Sequence, residues 1–171
     1  QTHPDAGIRV ALVRELARAS GIGGMAGGQL LDLGAEGRFG TGHKLGERDV
    51  VTLQSMKTGA LLHFACIAGG ILGNANPAER EALSRYGRAV GVAFQIADDL
   101  LDVESDAATL GKATGKDAAL GKATLVGILG IEAARERLNA CVSQAQTALS
   151  GFGKRAEILN EAALFVAARR N

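Results

Sequence analysis

Apolar side chains recur at helical intervals along almost the whole chain. After Pro4, Asp5 is placed to cap a helix in which Ile8, Leu12, Leu16 and Ala19 share a face, while Arg9, Arg14, Glu15 and Arg18 fall largely on others. Ser20-Gly21 closes it. Residues 22–36 are small and apolar, and Gly23, Gly24, Gly27 and Gly28 lie among them. Each glycine costs a helix roughly 1 kcal/mol against Ala, so a helix here predicts close backbone approach to a neighbour. Residues 37–46 read as a loop and 48–73 as a long, mostly buried helix or helix pair. Asn74-Ala75-Asn76-Pro77 is a turn, and 78–104 form a second long helix, polar at its start and apolar later. Residues 105–123 carry Gly and Lys without an apolar period and read as a loop. Residues 124–149 and 155–170 give two more amphipathic helices around Gly151-Phe152-Gly153. No strand, hairpin dipeptide or repeat stands out, so the class is all-α.

The stretch 95–102 is the most informative. On a helix at about 100° per residue, Gln95, Asp98, Asp99 and Asp102 share one stripe at i, i+3, i+4 and i+7. Val92, Ala93, Phe94, Ile96, Ala97, Leu100, Leu101 and Val103 cover the remaining surface. A helix apolar nearly all round belongs in an interior, where adjacent carboxylates repel unless something compensates them. A hard divalent cation such as Mg²⁺ is the natural compensation. An acidic, solvated face near a helix end is the alternative. Downstream, Lys112, Lys116 and Lys122 each follow a glycine, which lets backbone bend around an oxyanion. Upstream, Lys57-Thr58-Gly59 interrupts an apolar helical run, and a lysine there needs solvent or an anionic partner. Together these residues suggest a magnesium-bridged phosphate with a greasy tail.

Composition narrows the choice. The 171 residues hold 47% hydrophobic and 22% charged side chains, enough for a core and within one domain or a large piece of one. A net charge of +1, 4% aromatics and no Trp argue against a nucleic-acid surface. Cys66 and Cys141 lie in apolar, helix-like sequence without zinc-ligand spacing and read as reduced small hydrophobes. No unbroken apolar run of about 18 residues predicts a membrane span, and a cytoplasmic protein is the default expectation. A P-loop is excluded because Lys122 is followed by Ala123 and Lys116 stands where its first Gly should be. A Rossmann site is excluded because no strand precedes any Gly cluster.

The motifs GGMAGGQLLDL (23–33), KTGALL (57–62), FQIADDLLDV (94–103), TLGKATGKD (109–117) and LGKAT (120–124) resemble, in order and spacing, the C-terminal half of the trans-isoprenyl diphosphate synthases, nearest the bacterial farnesyl diphosphate synthase type. The resemblance implies a helical assembly around a central cavity, usually a homodimer. It implies that Asp98, Asp99 and Asp102 hold Mg²⁺ on an allylic diphosphate, and that Lys57, Thr58, Gln95, Lys112 and Lys122 contact that diphosphate. Lys57, Asp98 and Lys112 would carry the catalytic charge stabilisation. Gln29, Asp32 and Phe94 would line the cavity, with Phe94 beside the tail and the homoallylic substrate. The reaction implied is condensation of the allylic diphosphate with isopentenyl diphosphate, giving a farnesyl- or geranyl-type product. A terpene cyclase of the same fold and a non-catalytic truncated partner subunit are the alternatives.

The family uses two facing aspartate-rich motifs, and this chain contains a single Asp-Asp pair. It begins at Gln1, and its first methionine is Met25. Residues 1–171 are therefore expected to be the C-terminal part of one synthase domain, with the first motif upstream. Such a part is expected to be inactive alone and to expose an apolar face.

Overall fold

The computed structural model describes residues 2–40, 45–110 and 124–169, leaving the side chains of 106–110 aside. The described residues are helical and contain no strand. Helix α1 spans Ala6–Ser20, and the Asp5 side chain accepts bonds from the amides of Gly7 and Ile8, as the cap reading expects. Helix α2 spans Met25–Ala35.

Residues 47–72 form one continuous rod: α3 (Glu47–Gln54), a π-helical turn (Ser55–Gly59) and α4 (Ala60–Leu72). Its burial is less than the sequence predicts, with only Gly70 and Ile71 fully buried in α4. The rod is long and apolar enough to cross a membrane, with a hydropathy of 1.3 over its most apolar stretch, of which 17% is buried. No unbroken apolar run marks it in the sequence because Lys57 interrupts the run without lowering its mean far. The rod packs against α1, α2 and the long helix that follows.

That helix, α5, spans Pro77–Leu110. Its start is a reciprocal cap: Asn76 Oδ1 accepts from the Glu79 amide at 2.9 Å, and Glu79 Oε2 accepts from the Asn76 amide at 3.0 Å. Pro77 takes the first helical position, where a missing amide proton does no harm. The helix runs to Leu110, six residues beyond the predicted end at 104, so 105–110 are helix rather than loop. The predicted helix 124–149 is also corrected. It is two helices, α6 (Leu125–Leu129) and α7 (Ile131–Ala148), broken at Gly130, whose φ of 83° is outside any right-handed helix. A 3₁₀ segment, Ser150–Ala156, leads to α8 (Glu157–Ala168).

The core lies where α5 packs on α7 and α8, with Tyr86, Ala93, Ile96, Leu138, Ala145, Leu149 and Ala163 buried. The Tyr86 hydroxyl donates to the Leu159 carbonyl at 2.7 Å, and burial pushes its pKa up to about 12. Cys66 and Cys141 are free thiols, both pushed up by burial. The expected apolar exposure is present: Val10, Val13 and Leu16 on α1, Leu30 and Leu31 on α2, and Ile158 and Phe165 on α8 face solvent.

His63 on α4 meets the Ser84 hydroxyl of α5 at 2.8 Å. Burial, with Arg88 adding to it, holds the imidazole below its ordinary 6.5. The unfolded chain therefore binds the proton first, so stability is fully present above pH 6.5 and declines as pH falls through the folded value. Melting temperature is expected to drop between pH 7.5 and pH 5.5, and to drop less in His63→Gln, which keeps a partner for Ser84. Equal drops in the two proteins would contradict this.

Candidate active site

The site is assembled on the π turn. A π turn holds one residue more than an α turn and so re-aims the side chains it contains. This one carries Lys57 and Thr58, and glycines of two neighbouring helices press on its backbone. A Cβ on Gly28 of α2 would lie 2.3 Å from the Lys57 nitrogen, and one on Gly91 of α5 would lie 3.0 Å from the Gly59 Cα. The close approach expected for the Gly-rich helix is therefore real, and its partner is the lysine-bearing turn.

Backbone contact at Gly28 places Asp32, one turn further along α2, against Lys57. The Lys57 ammonium donates to Asp32 Oδ2 at 2.5 Å. On the other side, Thr58 Oγ1 donates to Gln95 Oε1 at 3.1 Å, and Gln95 Nε2 donates to Asp99 Oδ1 at 3.1 Å. The second Asp99 oxygen accepts from Gln54 Nε2 at 2.9 Å. Asp32, Lys57, Thr58, Gln95 and Asp99 thus meet across three elements. Gln29, on α2, is half-buried and takes no part in this network.

The three aspartates are not equivalent, which corrects the expectation of one buried acidic stripe. Asp99 is 7% exposed, whereas Asp98 and Asp102 face solvent. Burial pushes the Asp99 carboxyl up, its bonds from Gln95 and Gln54 pull it down, and the charges of Asp98 and Asp102 add to the rise. Among the described residues no three His, Cys, Asp or Glu side chains are placed together to hold a metal. Asp99 sits on the edge of the stripe that turns toward α3, where Gln54 reaches it. Asp98 and Asp102, four residues apart, keep the open edge. Two carboxylates still suit Mg²⁺, which binds through one or two carboxylates plus substrate phosphates.

Two residues of this neighbourhood escaped the sequence reading. Gln54 is the first. It lies at i−3 and i−4 from Lys57 and Thr58, and the same helical-stripe test that found 95–102 would have shown it. Arg169 is the second. Its guanidinium sits 4.4 Å over the ring of half-buried Phe94 and 3.8 Å from Asp98 Oδ1, and its Nε is buried without a partner. No local signal marks it, since its neighbours lie 75 and 71 residues away. Lys112 and Lys122 lie outside the described residues. Two cavities, about 540 and 250 Å³, are lined by residues such as Arg85, Arg137 and Cys141, and Glu15, His63 and Phe64. Neither is lined by Lys57, Gln95 or Asp98.

The sequence profile of the polyprenyl synthetases matches residues 8–158. The chain belongs to that family. It is 42% identical over 142 residues to farnesyl diphosphate synthase of Escherichia coli, covering 82% of this chain and 46% of that protein. It is 35% identical to farnesyl diphosphate synthase of Bacillus subtilis, covering 94% of this chain and 53% of that one. Among solved structures, an FPP/GFPP synthase from Zymomonas mobilis superposes with a TM-score of 0.83 at 41% identity, over 96% of this chain and 52% of that one. The all-α class is thus that of the family's solved members. The chain spans about half the length of the curated relatives it matches.

Proposed function

We propose that residues 1–171 are the C-terminal part of one prenyl synthase domain. In the full product of the gene, that domain condenses an allylic diphosphate with isopentenyl diphosphate to give a farnesyl- or geranyl-type product. The observation that carries this is the meeting of Lys57, Thr58, Gln95 and the acidic edge of α5 on one π turn, in a polyprenyl synthetase chain. Asp98 and Asp102 would hold Mg²⁺, which when bound neutralises charge on the diphosphate. Asp99 would act as their anchor. Lys57, aimed by Asp32, would donate to the leaving diphosphate while Thr58 and Gln95 orient it, and Lys112 and Lys122 would add positive charge. The allylic C–O bond breaks with its electron pair leaving on the diphosphate. The isopentenyl double bond then forms the new C–C bond, and a proton passes to the departed diphosphate. Phe94 would flank the hydrocarbon tail and help keep water from the cation.

The finer parts of the reading have their own supports. The exposed apolar residues of α1 and α2 suit a homodimer partner, and the free thiols of Cys66 and Cys141 suit the reducing cytoplasm. The test supplies labelled isopentenyl diphosphate with geranyl diphosphate and Mg²⁺. The full gene product is expected to make a longer prenyl diphosphate, and the 171-residue chain none. Normal condensation by residues 1–171 would refute their incompleteness. A cyclised hydrocarbon, or no reaction by the full product, would replace the proposal with a cyclase or a non-catalytic subunit.

A further inference from the structure

Gln54 has no role in the mechanism above, yet it is among the few buried polar side chains described, 9% exposed at the last position of α3. A buried primary amide is unfavourable unless bonded. Its bond is to Asp99, 45 residues away, at 2.9 Å. A carboxylate accepts and cannot donate, so both amides that meet Asp99 must turn their nitrogens to it. For Gln95 this fixes the opposite end as well: its oxygen faces Thr58, which donates to it. The bonds therefore run in one direction, from Thr58 through Gln95 to one Asp99 oxygen, and from Gln54 to the other. Gln54 directly precedes the π turn and Thr58 lies within it. The turn is thus fastened to α5 at two points, and both fastenings end on one carboxylate.

We infer that Gln54 is a positioning residue. With Gln95 it clamps Asp99 by both oxygens and so sets the height and rotation of the acidic stripe relative to the turn that carries Lys57 and Thr58. Asp98 precedes Asp99 and Asp102 follows one turn later, so any rotation of α5 allowed by a loosened Asp99 moves both. A clamp made of neutral amides leaves the cationic groups nearby for other work. This inference rests on the proposed reaction for its kinetic readout but not for its structural one.

The test uses the full gene product. Gln54→Met keeps the volume and removes the donor, whereas Gln54→His offers a ring N–H at similar reach. Gln54→Met is expected to lower kcat about tenfold or more while KM for isopentenyl diphosphate stays within about twofold, and Gln54→His to restore kcat to within about threefold of the parent. Independently of substrate, hydrogen exchange of the Gln95 side-chain amide is expected to be slow in the parent and in Gln54→His, and about tenfold faster in Gln54→Met. Unchanged kcat in Gln54→Met overturns the positioning role, and unchanged Gln95 exchange overturns the clamp. If Gln54→Met does not fold, Gln54→Asn, one methylene too short, replaces it. If the full product condenses nothing, the proposed reaction fails, and the exchange measurement still decides for or against the clamp.

Discussion

Replacing Lys57 by Met in the full gene product is expected to lower kcat/KM for condensation by about 10²–10³-fold, the scale for losing one preorganised donor to developing charge. The reason lies in how this lysine is held. Its stem leaves a π turn that contacts α2 and α5 through Gly28 and Gly91, and its ammonium is fixed on Asp32 at 2.5 Å. A charge placed this way needs little rearrangement when negative charge grows on a leaving diphosphate, and little rearrangement is what makes such a donor effective. Met keeps the length and apolar stem, so the loss reports the charge. kcat should fall by about the same factor as kcat/KM, because the interaction strengthens as the C–O bond breaks. Lys57→Arg should recover only part, since a planar fork does not fit where a point charge bonds a single oxygen of Asp32. A Lys57→Met enzyme with unchanged kcat and a raised KM would reduce Lys57 to a binding group. Asp32→Asn is the companion variant. It keeps Lys57 but weakens its aim, and about a tenfold loss is expected, read in the same assay.

How far these assignments were legible in the sequence depends on the distance over which each is decided. The Asp5 cap, the turn at 74–77 and the closure at Ser20-Gly21 depend on a few adjacent residues and read directly. The stripe 95–102 also read directly, because helical geometry alone puts Gln95 and the aspartates on one side. Which aspartate is buried did not. That depends on Gln54 approaching one edge of the stripe, a contact spanning 45 residues. The glycines at 27 and 28 announced close packing but could not name the backbone they meet. The extension of α5 to Leu110 was missed because 105–110 lack an apolar period, although helix can persist without one at the end of a long rod. The break at Gly130 was missed because apolar spacing continues across it, and only its φ reveals the interruption. Arg169 joins Phe94 and Asp98 through the docking of α8 on α5, which no window along the chain contains.

Gly28→Ala is expected to destabilise the fold more than any other single-methyl change proposed here, by roughly 3 kcal/mol. The added Cβ would lie 2.3 Å from the Lys57 nitrogen, 2.7 Å from its Cα and 2.8 Å from the Met56 carbonyl carbon. All three are backbone atoms of a turn already held by α5, so no side-chain rotation relieves the clash and α2 must move. For a chain of this size the loss corresponds to a melting temperature about 6–12 °C lower. Two other glycines separate this from a general effect of glycine. A Cβ on Gly23 meets nothing within 4 Å, so Gly23→Ala should change stability by less than about 0.5 kcal/mol. Gly69, inside α4, is equally open, so Gly69→Ala should raise stability by up to about 1 kcal/mol through helix propensity. If all three variants melt together, Gly28 does not set the separation of α2 from the π turn. If Gly28→Ala alone falls, activity should fall with it well below the melting transition, because moving α2 carries Asp32 away from Lys57. That pairing distinguishes a packing glycine from one that also fixes the distance between the lysine and its counter-ion.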